Sequence, residues 1–234
     1  MSGSFAERTQ TVSGTVDRNL SKIIGVASGL VAFNIALMLV LSYIPPVVGL
    51  ARVLFSSILI GIVAFAVTIG GGSWVASAGT ERGNLPLAIA GVALIQSGFG
   101  LFGAGALGIA PEYLRLPAIG ISIVITAAIT AVIGYVVFTT NYNFSSWQNY
   151  SFYCFIGGIG LAAAGVFLFT PLLLVASLLF FLGFMLSLTY EIWAVKENRY
   201  ASDLRNAIGI YTAVMGVFVN VLIWVLRILE LLDV

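Results

Sequence analysis

Glu191 is the residue with the most chemistry to account for. It stands in Thr189-Tyr190-Glu191-Ile192-Trp193, near the end of a long apolar run. A carboxylate in apolar surroundings is costly unless it is paired, neutralised or wetted. Among the acids of the chain, only Glu191 falls inside a predicted membrane span. Residues able to meet it come from the start of the next apolar run, where Arg205 and Asn206 stand at the inner rim. That run also carries Asn220 near its middle and Arg227 near its far end, where Arg227 can snorkel to the interface.

The run carrying Glu191 ends near Lys196. Glu191 is therefore roughly 7 Å from that end, at about 1.5 Å per residue. The next run starts on the same side, which puts Ile210 and Tyr211 about level with Glu191. The Tyr211 hydroxyl is expected to donate to the carboxylate. Two roles are open to the acid. It is either an interfacial group reaching headgroups or water near Lys196 and Arg199, or a titratable group in a water-accessible vestibule. In the second case it changes partner as the local pH changes.

Other chemistries are excluded by what is missing. The chain has no histidine and one cysteine, Cys154. That removes histidine zinc sites, Ser-His-Asp triads, histidine relays and any intrachain disulfide. No nucleophile, metal set or second acid surrounds Glu191, so the expectation is not an enzyme, with no cofactor. No basic block marks a nucleic-acid partner.

The elements that position these residues are set by composition. The 234 residues are 60% hydrophobic and 8% charged, with mean hydropathy +1.11 and net charge +1. Soluble domains carry about 25% charge. The expected fold is an all-α polytopic membrane protein, a seven-transmembrane-helix bundle. Its spans are predicted at 22–44, 50–74, 85–109, 114–137, 151–169, 172–195 and 207–229, each near the roughly 20 residues that a bilayer requires. Residues 1–20 read as a polar lead-in, with an interfacial helix as one option, and 21–234 as the membrane domain. Residues 1–20 do not read as a secretory signal, which would bring an apolar run sooner after a basic start, so the first span is expected to be a retained anchor. Pro45-Pro46 and Pro171 mark connections. Gly70-Gly71-Gly72 allows a bend near the end of the second span.

Charge sets the expected orientation. With the N terminus inside, the inner segments hold Arg8, Arg18, Lys22, Arg82, Lys196, Arg199 and Arg205. The outer ones hold only Arg52, Arg115 and Arg227. Asn34 and Gln96 are mid-span amides expected to bond between helices, Gln96 with Ser97 serving packing. Thr126 and Thr130 are expected to bond their own backbone carbonyls. Phe144, Trp147 and Tyr150 suit an interfacial aromatic belt.

Two stretches resemble the Bax inhibitor-1 family of membrane proteins, which includes the transmembrane BAX inhibitor motif proteins and their bacterial relatives. Thr139-Thr140-Asn141-Tyr142-Asn143-Phe144-Ser145-Ser146 is similar to that family's T-K-x-D-F-S segment. Leu188-Thr189-Tyr190-Glu191, followed by Phe218-Val219-Asn220-Val221-Leu222-Ile223-Trp224-Val225-Leu226-Arg227, is similar to its helix 6 and helix 7 motifs. The resemblance implies a seven-helix bundle with the last helix near its centre, in the cell membrane. It also implies, for some members, a pH-sensitive calcium or cation leak closed by two acids sharing a proton. Arg82 is a loose match for a basic residue ending helix 2.

The chain departs from that pattern at one place. Glu191 falls on the helix 6 acid, whereas the helix 7 acid falls on Val217 or Ala213, depending on register. A switch built on two like charges therefore does not carry over intact, and Tyr211 or Arg205 becomes the expected partner. The leading expectation is a cation or calcium leak with membrane lipid around it. One alternative is a non-transporting modulator of another membrane protein, such as a protease. Another is a secondary transporter in which Asn34, Gln96 and Asn220 converge.

Overall fold

A computed structural model describes residues 19–232. The lead-in expected over residues 1–20 lies almost wholly outside them. The described chain is helical, with no strand among the described residues.

α1 (Leu20–Ser42) starts at Asn19, whose side chain accepts from the Lys22 amide at 3.0 Å. It ends just before Pro45-Pro46, which opens α2 (Pro45–Ser56); proline is tolerated there because a first-turn N–H has no helical partner. Ser57 then turns extended (φ −107°, ψ 124°) and separates α2 from α3 (Ile58–Phe65). A π-helical stretch, Ala66–Gly71, joins α3 to α4 (Gly72–Glu81). The second span is thus Ile60–Glu81, not 50–74. Pro45–Leu54 is a separate short apolar helix carrying Arg52, and residues 77–81 are helix, not connection.

Gly83, at φ +64°, turns the chain, and Asn84 caps α5 (Leu85–Ile109) by accepting from the Leu87 amide at 3.1 Å. α4 and α5 lie backbone to backbone. A β-carbon on Gly79 would strike the Ala88 backbone, and one on Gly91 would strike the Ala76 backbone. Small residues permit such approach where lipid tails give no hydrophobic drive. α6 (Glu112–Thr139) and α7 (Trp147–Phe167) come next. Phe144, between them, is buried edge-on between Tyr142 and Trp147, at ring separations of 4.9 and 4.8 Å. It is part of the packing, not of an exposed belt.

α8 (Leu172–Lys196) and α9 (Asp203–Leu231) complete the bundle. Among the described residues, seven helices are long and apolar enough to cross a membrane. α9 is the centre: 56% of its apolar window is buried, against 17 to 39% for the others. It packs on α1, α4, α5, α6 and α8. From Met215 to Val219 every residue of α9 is buried, the pattern of a helix enclosed on all sides. Two cations close helix ends. Arg115 donates to the Ser42 carbonyl at 3.2 Å, and Lys196 to those of Val137 and Thr140 at 3.0 and 2.6 Å.

Candidate functional site

The site is built where α8 gives way to α9. α8 stops at Lys196, and Asn198 takes a left-handed φ of 57° to turn the chain. Ser202 then caps α9, accepting from the Arg205 amide at 3.3 Å. That cap fixes Arg205 in the first turn of α9, facing the last turns of α8.

Arg205 and Glu191 form a two-pronged ion pair. Nη1 donates to Oε2 at 2.8 Å and Nη2 donates to Oε1 at 3.3 Å. Both side chains are enclosed, at 15% and 10% exposure. Paired planar groups of this kind are strong and directional. The pairing is what allows a carboxylate to be buried here. Gly209 makes room for it, since a β-carbon there would collide with Glu191 Oε2 and with Arg205 Nη1.

Tyr200 holds the guanidinium from the other side and is itself met by Tyr190. Arg205 Cζ lies 3.8 Å from the Tyr200 ring centroid, a close cation–π contact. The Tyr200 hydroxyl meets that of Tyr190 at 2.9 Å. Burial, reinforced by the Tyr190 hydroxyl, pushes the Tyr200 phenol above the usual tyrosine range. Tyr190 thus returns to the site through Tyr200, although it points away from its sequence neighbour Glu191. Asn206, fully buried, donates to the Tyr200 carbonyl at 3.4 Å, while its own Oδ1 has no partner in the structure.

The ion pair forms one wall of a cavity of about 240 Å³. The facing wall is α4, which contributes Ser73, Ala76, Ser77 and Thr80. That i, i+3, i+4, i+7 spacing is one face of a helix. Gln148 of α7, Ser187 of α8 and Thr212 of α9 add further polar atoms. The lining is a set of neutral oxygens around one acid and one base. No three histidine, cysteine, aspartate or glutamate side chains gather to hold a metal among the described residues. Any cation entering the cavity would meet Glu191 and hydroxyl oxygens, once Arg205 had moved aside.

The chain matches no family model, no curated protein and no solved structure. The site must therefore be interpreted from its geometry.

Of the residues singled out from sequence, Glu191 and Arg205 come together. Tyr211 does not join them. Its fully buried hydroxyl accepts from Asn34 Nδ2 at 3.2 Å. Asn34 of α1 also donates to the Gln96 side-chain oxygen and, at 3.0 Å, to the Gln96 carbonyl. Gln96 Nε2 in turn donates to the Leu30 carbonyl at 3.2 Å. The mid-span amides therefore bond between helices as expected, and Tyr211 belongs to that cluster. Asn220 stays apart, donating to the Gly216 carbonyl of its own helix at 2.8 Å. The three-amide convergence that a transporter site required does not form. Arg82 caps α4 on the surface, outside the cavity lining. Lys196 and Arg199 are committed elsewhere, Lys196 to α6 and Arg199 to the Trp193 ring at 5.3 Å.

Sequence reasoning missed Gly209, Tyr200 and the α4 hydroxyls. A signal for the last was present: Ser73, Ser77 and Thr80 repeat at helical spacing in an otherwise small, apolar stretch.

Proposed function

We propose that this is a multi-pass cell-membrane protein of the Bax inhibitor-1 type, in which the Glu191–Arg205 pair closes a cation leak. The observation that carries the proposal is the enclosed ion pair standing in the wall of a hydroxyl-lined cavity between membrane-crossing helices. An acid already matched by an arginine is a closed latch. Protonating Glu191, or drawing Arg205 away, frees the cavity and leaves oxygen atoms facing it. The central position of the last helix and the placement of Glu191 late in α8 support the family resemblance. The missing second acid is answered by a basic partner, so the latch opens by loss of attraction instead of by like-charge repulsion. With the N terminus inside, the cavity sits near the inner mouth. The resemblance makes calcium the first cation to test.

The experiment is cation flux into liposomes containing the purified protein, across a range of pH. Glu191→Gln and Arg205→Met should each raise flux at neutral pH and flatten its pH dependence. Each should also cost about 3 kcal/mol of stability, because one partner is left buried and alone. The double variant should recover much of that stability while the leak stays open. A folded protein that passes no calcium, sodium or potassium at any pH overturns the proposal.

A further inference from the structure

The wall of the polar cavity also bears on which cation suits it. Thr80 of α4 and Thr212 of α9 both line it. The Thr80 hydroxyl donates to the Ser77 carbonyl and the Thr212 hydroxyl to the Ile208 carbonyl, each at 2.8 Å. A hydroxyl has one proton and two lone pairs. With the proton committed to the helix, each of these oxygens offers the cavity only lone pairs. Ser73, Ser77 and Ser187 add three hydroxyls that can turn lone pairs inward. Such a wall of neutral acceptors suits a cation and not an anion.

Its fixed charge is small. Among the described residues that line the cavity, Glu191 is the one acid and Arg205 the one base. Neighbouring charges are engaged elsewhere: Lys196 with the carbonyls of Val137 and Thr140, Asp203 with Lys22 at 3.6 Å. Glu81, Arg82 and Glu197 do not line the cavity. While the ion pair is intact its two charges cancel. With Arg205 drawn aside, one carboxylate is left; with Glu191 protonated, none is. The wall therefore never exceeds a single negative charge.

That limit discriminates by valence. Sodium and calcium ions are nearly equal in radius. Removing water costs an ion in proportion to the square of its charge, so calcium loses about four times as much as sodium on entering. Attraction to one fixed carboxylate grows only with the first power of charge, so calcium recovers only about twice as much. Calcium sites close that gap with roughly six to eight oxygens, several of them from carboxylates. Here no three acidic, histidine or cysteine side chains gather among the described residues. The tethered Arg205 widens the gap, because it repels a divalent ion twice as strongly as a monovalent one. We propose that the cavity selects monovalent cations over calcium, with Glu191 as its one charged ligand and the hydroxyls of Thr80 and Thr212 among its neutral ones. This inference rests on the leak proposed above and names the ion class it carries, which departs from the calcium that the family resemblance suggests.

The test uses the full chain in planar phosphatidylcholine bilayers, with sodium gluconate on one side and calcium gluconate on the other. The reversal potential should place sodium at least about tenfold above calcium in permeability, both for the unaltered chain at the pH where it leaks and for Arg205→Met at neutral pH. Ser77→Asp sets a second acid on the α4 wall facing Glu191. It should shift the ratio about tenfold toward calcium, whereas Ser77→Asn, of the same size and uncharged, should leave it within about twofold. If the Ser77→Asp chain does not fold, Ser187→Asp makes the same comparison from α8. Calcium permeability equal to or above that of sodium overturns the inference and leaves the leak standing. So does a second acid that fails to move the ratio. A folded chain that passes neither ion overturns the leak, and this inference with it.

Discussion

A methyl group on Gly209 would occupy the space held by the Glu191 carboxylate. The two residues are on neighbouring helices, and the carboxylate lies where the first side-chain carbon of residue 209 would stand. Gly209→Ala should therefore push the acid away from Arg205 without removing either charge. The cost should be about 1–3 kcal/mol, as for other overpacked sites. Flux should shift in the same direction as with Glu191→Gln. A Gly209→Ala protein with unchanged melting and unchanged flux would show that the pair tolerates displacement and does not act as a latch.

Tyr211 gives the opposite expectation. Its hydroxyl serves Asn34, so Tyr211→Phe should weaken the docking of α1 on α9 by about 1 kcal/mol. Flux and its pH dependence should stay as they were. Thermal unfolding and the liposome assay separate the two effects. A Tyr211→Phe protein leaking like Glu191→Gln would return Tyr211 to the acid's site.

Tyr200 yields a prediction about alkaline pH. The folded phenol is held above the usual tyrosine range, while in the unfolded chain it ionises near pH 10. Above that pH the unfolded state has given up a proton that the folded state keeps, so stability falls as pH rises. The contribution is fully present below about pH 10. Tyr200→Phe should flatten that fall, keeping the ring beneath Arg205 while removing the phenol. Unfolding midpoints measured from about pH 8 to 11, either side of the free phenol's range, test this; equal slopes for both proteins would refute it.

Much of the bundle was legible because apolar runs of span length carry their own signal. The second span shows where that signal fails. Residues 45–56 are apolar enough to merge with the helix beyond them, and hydropathy does not register the single extended residue, Ser57, that parts the two. The glycine triplet reads as room for a bend near the end of the span, yet the chain winds into it as a π-turn and continues as helix to Glu81. Glu191 was legible because an acid in an apolar run is conspicuous. Its partner was narrowed to Tyr211 or Arg205 and no further, because counting along α9 compares backbone heights and favours Tyr211. The long Arg205 side chain spans the difference in height, past a residue with no side chain of its own. Thr130 closes on its own helix as expected and Thr126 does not, and nothing in sequence distinguishes the two.

The π-turn at Ala66–Gly71 has a further consequence, one of phase. Each residue of an α-helix advances the azimuth by about 100°, so the turn sets which side of α4 looks inward. Deleting one residue there would leave the length and hydropathy of the span almost unchanged, yet rotate Ser73, Ser77 and Thr80 out of the cavity wall. The polarity of that wall is thus decided by the winding of a segment that contributes no atom to it.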